Sequence, residues 1–343
     1  MTMQRRGRFV TEPVVSIFIR VRDEADSLGE VFRSLAEQDF SGPTECVVLD
    51  NQSSDASAKT ALDAGARVFT LPRENFGYGR ALNLGLELCR GEVVVFLSAH
   101  SIPQQQNWLS QFVNPLLTGV ADAAYCNQIP VSSASRTERQ RFREFPSGDT
   151  LIHRDLFLDR CAQGADPYDV AQFSNSASAV SRSRARELPF RDLSYAEDRA
   201  FAVDLLMAGG TVAFVHSVSV SYRRLWTWKS AYSAAYRAQV SKRLIRELAA
   251  TYTGRRISSV PEAIGRLIRV LAIPATVTYG FALAMTEPSR IRRNSSRDVA
   301  VATGATLGIA HGCLKWRLEL ELLSVDAHAF DLARHGCKPI GSE

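Results

Sequence analysis

Short apolar runs and stretches of helical period alternate along the first part of the chain. Val14–Ile19 is a run of strand type that ends at Arg20, Val21, Arg22, Asp23 and Glu24. Asp26 or Ser27 can cap the helix that follows, with Leu28, Val31, Phe32 and Leu35 on one face. Cys46–Leu49 is a second strand, Val68-Phe69 a short third, and Gly79–Cys89 a helix. Val93–Leu97 is apolar throughout, the mark of a strand buried on both faces. It runs out into Ser98, Ala99, His100, Ser101, Ile102 and Pro103. This β-α-β-α-β-α-β order predicts an α/β fold, with a mostly parallel central sheet covered by helices. Right-handed crossovers would bring the carboxyl ends of the strands to one edge, where open α/β sheets bind ligands. That edge gathers Arg22, Asp23, Asp50, Asn51, Asp55, Ser98 and His100.

The pattern loosens further on. Trp108–Leu117 reads as a helix and Ala121–Ile129 as a strand. Pro146–Ser174 is polar and irregular, with weak helix over Leu151–Leu158, and its length suggests a functional loop or lid. Ser176–Ser181 is a short strand, Glu197-Asp198 open a helix that Gly209-Gly210 stop, and Val212–Val215 and Val218–Tyr222 are strands. From Trp226 the pattern is helical, over Trp226–Leu248, Pro261–Met285 and Val299–Leu323. The apolar part of the second of these, Leu271–Met285, is about 15 residues, short of the ~20 a membrane span needs.

Composition narrows the function classes. The 343 residues are 45% hydrophobic and 22% charged, ordinary for a globular chain. A formal charge of +5 suits a phosphate-bearing ligand or an anionic membrane surface and is too small to argue for nucleic acid. The six cysteines form no CxxC pair, so neither zinc nor a disulfide framework is expected, and a reducing cytoplasm is. No apolar run follows the arginines of the first ten residues, so no secretory leader is expected. Nothing after the first strand resembles a GxGxxG loop, which argues against a dinucleotide site.

Candidate chemistry has two readings at each place. Asp50 and Asp55 either bind a base or ribose, or form a turn and a helix cap. Arg80, after Asn75-Phe76-Gly77-Tyr78-Gly79, either meets a ligand or is solvated. Glu197 and Asp198 are either favoured by a helix dipole or include a general base that the dipole keeps ionised. Arg223 and Arg224, beside Tyr222, Trp226 and Trp228, either neutralise a pyrophosphate or are a solvated pair.

Taken together, the pieces resemble a family 2 glycosyltransferase of the GT-A fold, in its rhamnosyltransferase-like branch. The resemblance rests on 15–19, 48–55, 74–83, 94–103 with Trp108-Leu109, Gln128-Ile129-Pro130, 174–179 and 196–199, in the family's order. It implies a GT-A domain over 11–225, with a nucleotide-binding half (11–105) and an acceptor half (106–225), followed by a helical region over 226–343. It implies an inverting transfer from a nucleotide-diphosphate sugar to a hydroxyl of a glycan, lipid-linked or natural-product acceptor. Asp198 would be the base, and Glu197 would orient it or bind the acceptor. Asp50, with Asn51, Arg22 and Asp23 near it, would meet the nucleotide, as would Arg80. Gln128, Asn175 and Trp226 would line the sugar and acceptor pocket. Peripheral membrane attachment and a homo-oligomer are both allowed. The rival is a silent nucleotide- or sugar-binding protein on the same fold.

Two departures stand out. The family's Asp-X-Asp type signature, whose carboxylates bind Mg²⁺ or Mn²⁺, reads Ser98-Ala99-His100-Ser101 here. Its later His-Ser-His reads Tyr222-Arg223-Arg224. The expectation is that His100, Arg223 and Arg224 neutralise the diphosphate, with His100 the residue left to hold a softer metal ion.

Overall fold

The computed structural model describes residues 13–131, 134, 139, 145–223, 228–254 and 338–340. Its centre is a sheet of ten strands among the described residues. They are β1 (Val15–Val21), β2 (Thr44–Asp50), β3 (Arg67–Thr70), β4 (Val93–Ser98), β5 (Ser101–Pro103), β6 (Ala123–Pro130), β7 (Thr150–Ile152), β8 (Ala177–Ser181), β9 (Val212–Tyr222) and β10 (Lys338–Ile340). The order is β10-β3-β2-β1-β4-β8-β6-β9-β5, with β7 also on β9. Strands β3, β2, β1 and β4 run parallel, as their helical crossovers require. Beyond β4 the sheet is mixed, because β8 pairs antiparallel with both β4 and β6.

Alternation along the strands divides the core. Ile17, Ile19, Val48, Val95 and Leu97 face α1 (Ala25–Ala36), α2 (Ser57–Asp63) and α4 (Trp108–Leu117). Phe18, Val47, Leu49, Val94 and Phe96 face α3 (Tyr78–Leu88) and the later helices. Those are α5 (Arg154–Ala162), α6 (Pro167–Val170), α7 (Arg182–Glu187), α8 (Glu197–Met207) and α9 (Trp228–Thr253). On this second face Phe18, Phe96, Phe190 and Phe201 contact in turn, at ring centroid distances of 5.8, 5.5 and 4.3 Å. Burying each ring contributes roughly 1.5–3 kcal/mol, so this row ties β1 to α8 strongly.

The loop that leads into α8 lies directly on the start of α3. Asn83 donates to the Phe190 carbonyl (2.8 Å) and accepts from the Phe190 N–H (2.9 Å), both buried. A Cβ added to Gly79 would stand 2.0 Å from the Arg191 carbonyl oxygen, and one on Gly77 2.1 Å from Asp192 Oδ1. Gly79 therefore permits a close approach of the Arg191 backbone, and Gly77 one of the Asp192 side chain, that no Cβ would. Behind α8, Arg191 binds Asp204 at 2.7 and 3.1 Å, and the Tyr252 hydroxyl of α9 donates to the same carboxylate at 2.8 Å.

Several expectations change. The proposed loop or lid over 146–174 contains β7, α5 and α6. His153 and Asp166 cap those two helices, and Phe157, Cys161, Val170 and Phe173 are buried beneath them. The two strands expected over 212–222 are one, with a register shift opposite Cys126 and Asn127 that accommodates exposed His216 and Ser217. The helix expected from Trp226 is α9, and its Ile245, Leu248 and Ala249 join the second core. β10 was not anticipated; it pairs antiparallel with β3. The helices expected over 261–285 and 299–323 lie outside the described residues. Among the described residues no helix is long and apolar enough to cross a membrane.

Gly79→Ala is expected to lower stability by about 1–3 kcal/mol or more, through overpacking against the Arg191 carbonyl. Urea unfolding measures it, and a change near zero would mean the two backbones do not touch.

Candidate active site

The carboxyl ends of β1 and β2 are knitted together by side chains. Asp23 takes a left-handed backbone (φ 53°), and its carboxylate accepts from the Ser54 N–H (2.6 Å) and hydroxyl (3.0 Å). Those two bonds hold the exposed Asp23 carboxyl below its ordinary range. Arg22 is half exposed, 3.8 Å from Asp23. Asp55 accepts from Ser57 at the start of α2 and from the Ala25 N–H at the start of α1, so the capping reading holds for it. Asp50 is buried at the end of β2, with both oxygens 3.2 Å from the Ser53 N–H. Asn51 is also buried; its amide donates to the Leu71 carbonyl (3.1 Å) and its N–H to Val21 (2.9 Å). Asn51 therefore shapes the floor, and its side-chain donor is already engaged.

At the end of β4, Ser98 is partly buried and its N–H donates to the Ser176 carbonyl. His100 Nδ1 lies 3.5 Å from Glu24 Oε1, and its ring meets Tyr222 edge-on at 4.8 Å. Among the described residues no three His, Cys, Asp or Glu side chains gather as a metal site. His100 and Glu24 alone do not fit Mg²⁺ or Mn²⁺, which need more oxygen ligands than this pair offers.

The arginines expected to serve the donor have other partners. Arg80 binds Asp192 at 2.7 Å and the Asn75 carbonyl at 2.9 Å. Arg223 pairs with Glu30 of α1, and its N–H donates to the His100 carbonyl. Arg224 and Trp226 lie outside the described residues.

Glu197 and Asp198 open α8 as expected, with the preceding Ala196 left-handed (φ 61°). Glu197 is 8% exposed, while Asp198 keeps more of its surface open. Both carboxyls are shifted upward from their ordinary values. Burial pushes Glu197 up, the adjacent Asp198 carboxylate adds to the shift, and Arg20 and the Asn175 amide oppose it. Burial also pushes Asp198 up, against Arg199, the Arg199 and Asn175 N–H groups, and Arg20. Raised carboxyl values in the fold stabilise it at low pH, and that contribution is lost as pH rises through them. Asn175 is buried and accepts from the Ser178 hydroxyl (2.7 Å); Gln128 is buried and donates to Ser174 (2.8 Å). The structure thus brings Asn175 to the pair and holds Gln128 nearby in sequence register with β9.

Arg20 and Glu24 were missed as site residues. The signal was available, since Arg20 is a charge inside an otherwise apolar strand. Among the described residues, the non-glycine residues with positive φ are Asp23, Gln52 and Ala196, all at this edge. Strained backbone of this kind concentrates at functional sites.

Residues 16–174 match the family described as Glycosyl transferase family 2. That span is of the family 2 glycosyltransferase type. A glucosyl-3-phosphoglycerate synthase of Mycolicibacterium paratuberculosis is 34% identical over 111 residues, which is 31% of this chain and 34% of that protein. An uncharacterized glycosyltransferase of Rickettsia prowazekii is 33% identical over 159 residues, 42% of this chain and 49% of that one. The chain thus spans about a third to a half of the length of these curated relatives. S. aureus TarS 1–349 has a solved structure with TM-score 0.51 and 15% identity, covering 85% of this chain and 90% of that one. At that identity the likeness is one of fold, and the fold is GT-A.

Ala196→Gly is expected to raise stability by about 1 kcal/mol by relieving the left-handed alanine. Denaturant unfolding measures it, and a loss would mean the alanine methyl is favourably packed.

Proposed function

We propose that the chain moves a sugar from a nucleotide-diphosphate donor to an acceptor hydroxyl with inversion at the anomeric carbon. The observation that carries this is the enclosed Glu197–Asp198 pair at the start of α8, its titration displaced upward toward the working range of a general base. Asp198, the more open of the two, takes the proton from the acceptor hydroxyl. The oxygen forms its bond to the anomeric carbon as the bond to the donor phosphate breaks, and the nucleoside diphosphate leaves. Asp50 and Asp23 hold the nucleotide at the ends of β2 and β1. His100, backed by Glu24, lies under the diphosphate. Gln128 and Asn175 line the sugar pocket; the roles of Trp226 toward the acceptor and of Arg224 toward the diphosphate rest on the family resemblance alone.

The reading follows the relatives' names, which include sugar transferases acting on phosphoglycerate and on undecaprenyl phosphate. The TarS fold has also been solved with UDP-GlcNAc, at TM-score 0.50 and 16% identity. The rhamnosyltransferase-like branch rests on the run of motifs from 15–19 to 196–199, from whose pattern Ser98-Ala99-His100 departs. With no fitting metal set, no step runs through a metal, and attachment to a membrane surface rests on the basic C-terminal region. Binding without turnover is the second reading, favoured by the absent carboxylates at 98–101.

Asp198→Asn is expected to lower turnover by about 10²–10⁴-fold while nucleoside-diphosphate affinity stays near wild type. Wild-type rate should fall with acidity at a pH above the ordinary carboxylate range, because the base is lost as its raised carboxyl protonates. Near-normal turnover in the variant removes this mechanism. EDTA is expected to leave activity within about twofold, since the described residues offer no hard-metal set. Loss on EDTA with recovery in Mn²⁺ would contradict that.

A further inference from the structure

A diphosphate gains negative charge as its sugar departs, so a cation held against it strengthens in the transition state. The arginines expected to supply that cation are engaged by carboxylates. Arg80 binds Asp192, Arg223 pairs with Glu30, and Arg22 lies 3.8 Å from Asp23. A guanidinium whose fork is filled by a carboxylate has fewer donors left for a phosphate. Arg20, which has no role in the scheme above, is placed differently.

Arg20 is the partly buried charge of β1, whose other residues are buried. Register sets it between Leu49 of β2 and Ser98 of β4, two parallel neighbours. Strand alternation puts its side chain on the face that carries Phe18, Leu49 and Phe96, beneath α3. Because α3 follows β3, the first turn of that helix lies at the carboxyl edge of the sheet. There Arg20 Nη1 donates to the Tyr78 carbonyl at 3.4 Å, and the guanidinium lies 5.7 Å from the Tyr78 ring centroid. That long bond is the hydrogen bond Arg20 makes to the protein among the described residues, and no carboxylate there pairs with it. None of its nitrogens is among the buried polar atoms left without a partner. Its other donors are therefore open to the crevice.

Ser98 adds a second open donor at the same point. It is the register partner of Arg20 and shares its face of the sheet. Its backbone N–H is taken by the Ser176 carbonyl at 3.0 Å, while its hydroxyl makes no bond to the protein among the described residues. His100 follows two residues later in the chain. Arg20 is also held in advance: β1 fixes its backbone, and Tyr78 holds one corner of the fork through its carbonyl. The rest of the planar fork suits two phosphate oxygens, which a point charge could not match. We propose that Arg20, with the Ser98 hydroxyl beside it, binds the diphosphate of the sugar donor and supplies from β1 the positive charge that this group needs. The proposal rests on the reading of this edge as a sugar-donor site.

The test is isothermal titration of the full chain in EDTA with UDP, GDP and dTDP, and with uridine, guanosine and thymidine. For the base that the wild type binds, Arg20→Gln should weaken the diphosphate by about 10–100-fold, the usual effect of losing a hydrogen bond to a charged group. Affinity for the matching nucleoside should stay within about twofold, since it carries no phosphate for the arginine to meet. Arg20→Lys should recover part of the loss, because it keeps the charge without the fork. Unchanged diphosphate affinity in Arg20→Gln overturns the proposal. An equal loss for nucleoside and diphosphate does so too, because it makes Arg20 a support of the fold. If Arg20→Gln does not fold, phenylglyoxal labelling of the wild type, mapped by peptide mass spectrometry, decides. Arg20 should be modified in the free chain and protected by the diphosphate but not by the nucleoside. No modification in the free chain, or modification that the diphosphate does not slow, overturns the proposal. A wild type that binds none of the three diphosphates defeats both the proposal and the donor reading beneath it. A wild type that binds a diphosphate through Arg20 yet transfers no sugar keeps the proposal and defeats the transfer.

Discussion

The placement of the carboxylate pair depends on one close backbone contact. Phe190 and Arg191 lie directly on the first turns of α3, where Gly77 and Gly79 leave room and Asn83 bonds Phe190 in both directions. The row of rings from Phe18 to Phe201 then locks α8 over the sheet. The glycine-containing loop closely approaches Arg191 and Asp192 of the protein's own chain. Its effect on the site is indirect: it sets where Glu197 and Asp198 stand relative to β1.

That placement explains the electrostatics. Exposed at a helix start, two carboxylates would be favoured and ionised. Burial at this helix start instead pushes both carboxyls upward, Glu197 with the adjacent Asp198 carboxylate adding to the shift. The left-handed Asp23, Gln52 and Ala196 lie along the same edge. Each such residue costs about 1–2 kcal/mol, tolerated where surrounding hydrogen bonds determine the loop.

Much of the fold was legible from local pattern. β1 to β4, their helices and α4 follow from apolar runs, turn residues and helical period. The Glu197-Asp198 helix start was equally visible. Long-range pairing was not. Whether Arg80 meets a phosphate or Asp192 depends on a residue 112 positions away, and no feature near Arg80 reveals it. The same holds for Arg223 and Glu30. Burial pushes Glu197 and Asp198 upward, opposite to the direction expected of the helix dipole, and burial by distant parts of the chain leaves no mark in the local sequence. β7 and α6 were hidden, and α5 showed only as a weak helix read over 151–158, because their few apolar residues follow no sustained period. Lys338-Pro339-Ile340 is too short for any pattern to mark as a strand.

The central claim is a single displacement by a base-activated hydroxyl at this edge. It is tested most directly by the anomeric configuration of the product. With an α-linked nucleotide sugar turned over by the full chain, proton NMR of the new glycoside should show the β-anomer, one inversion for one displacement. A product that keeps the α configuration would contradict the account.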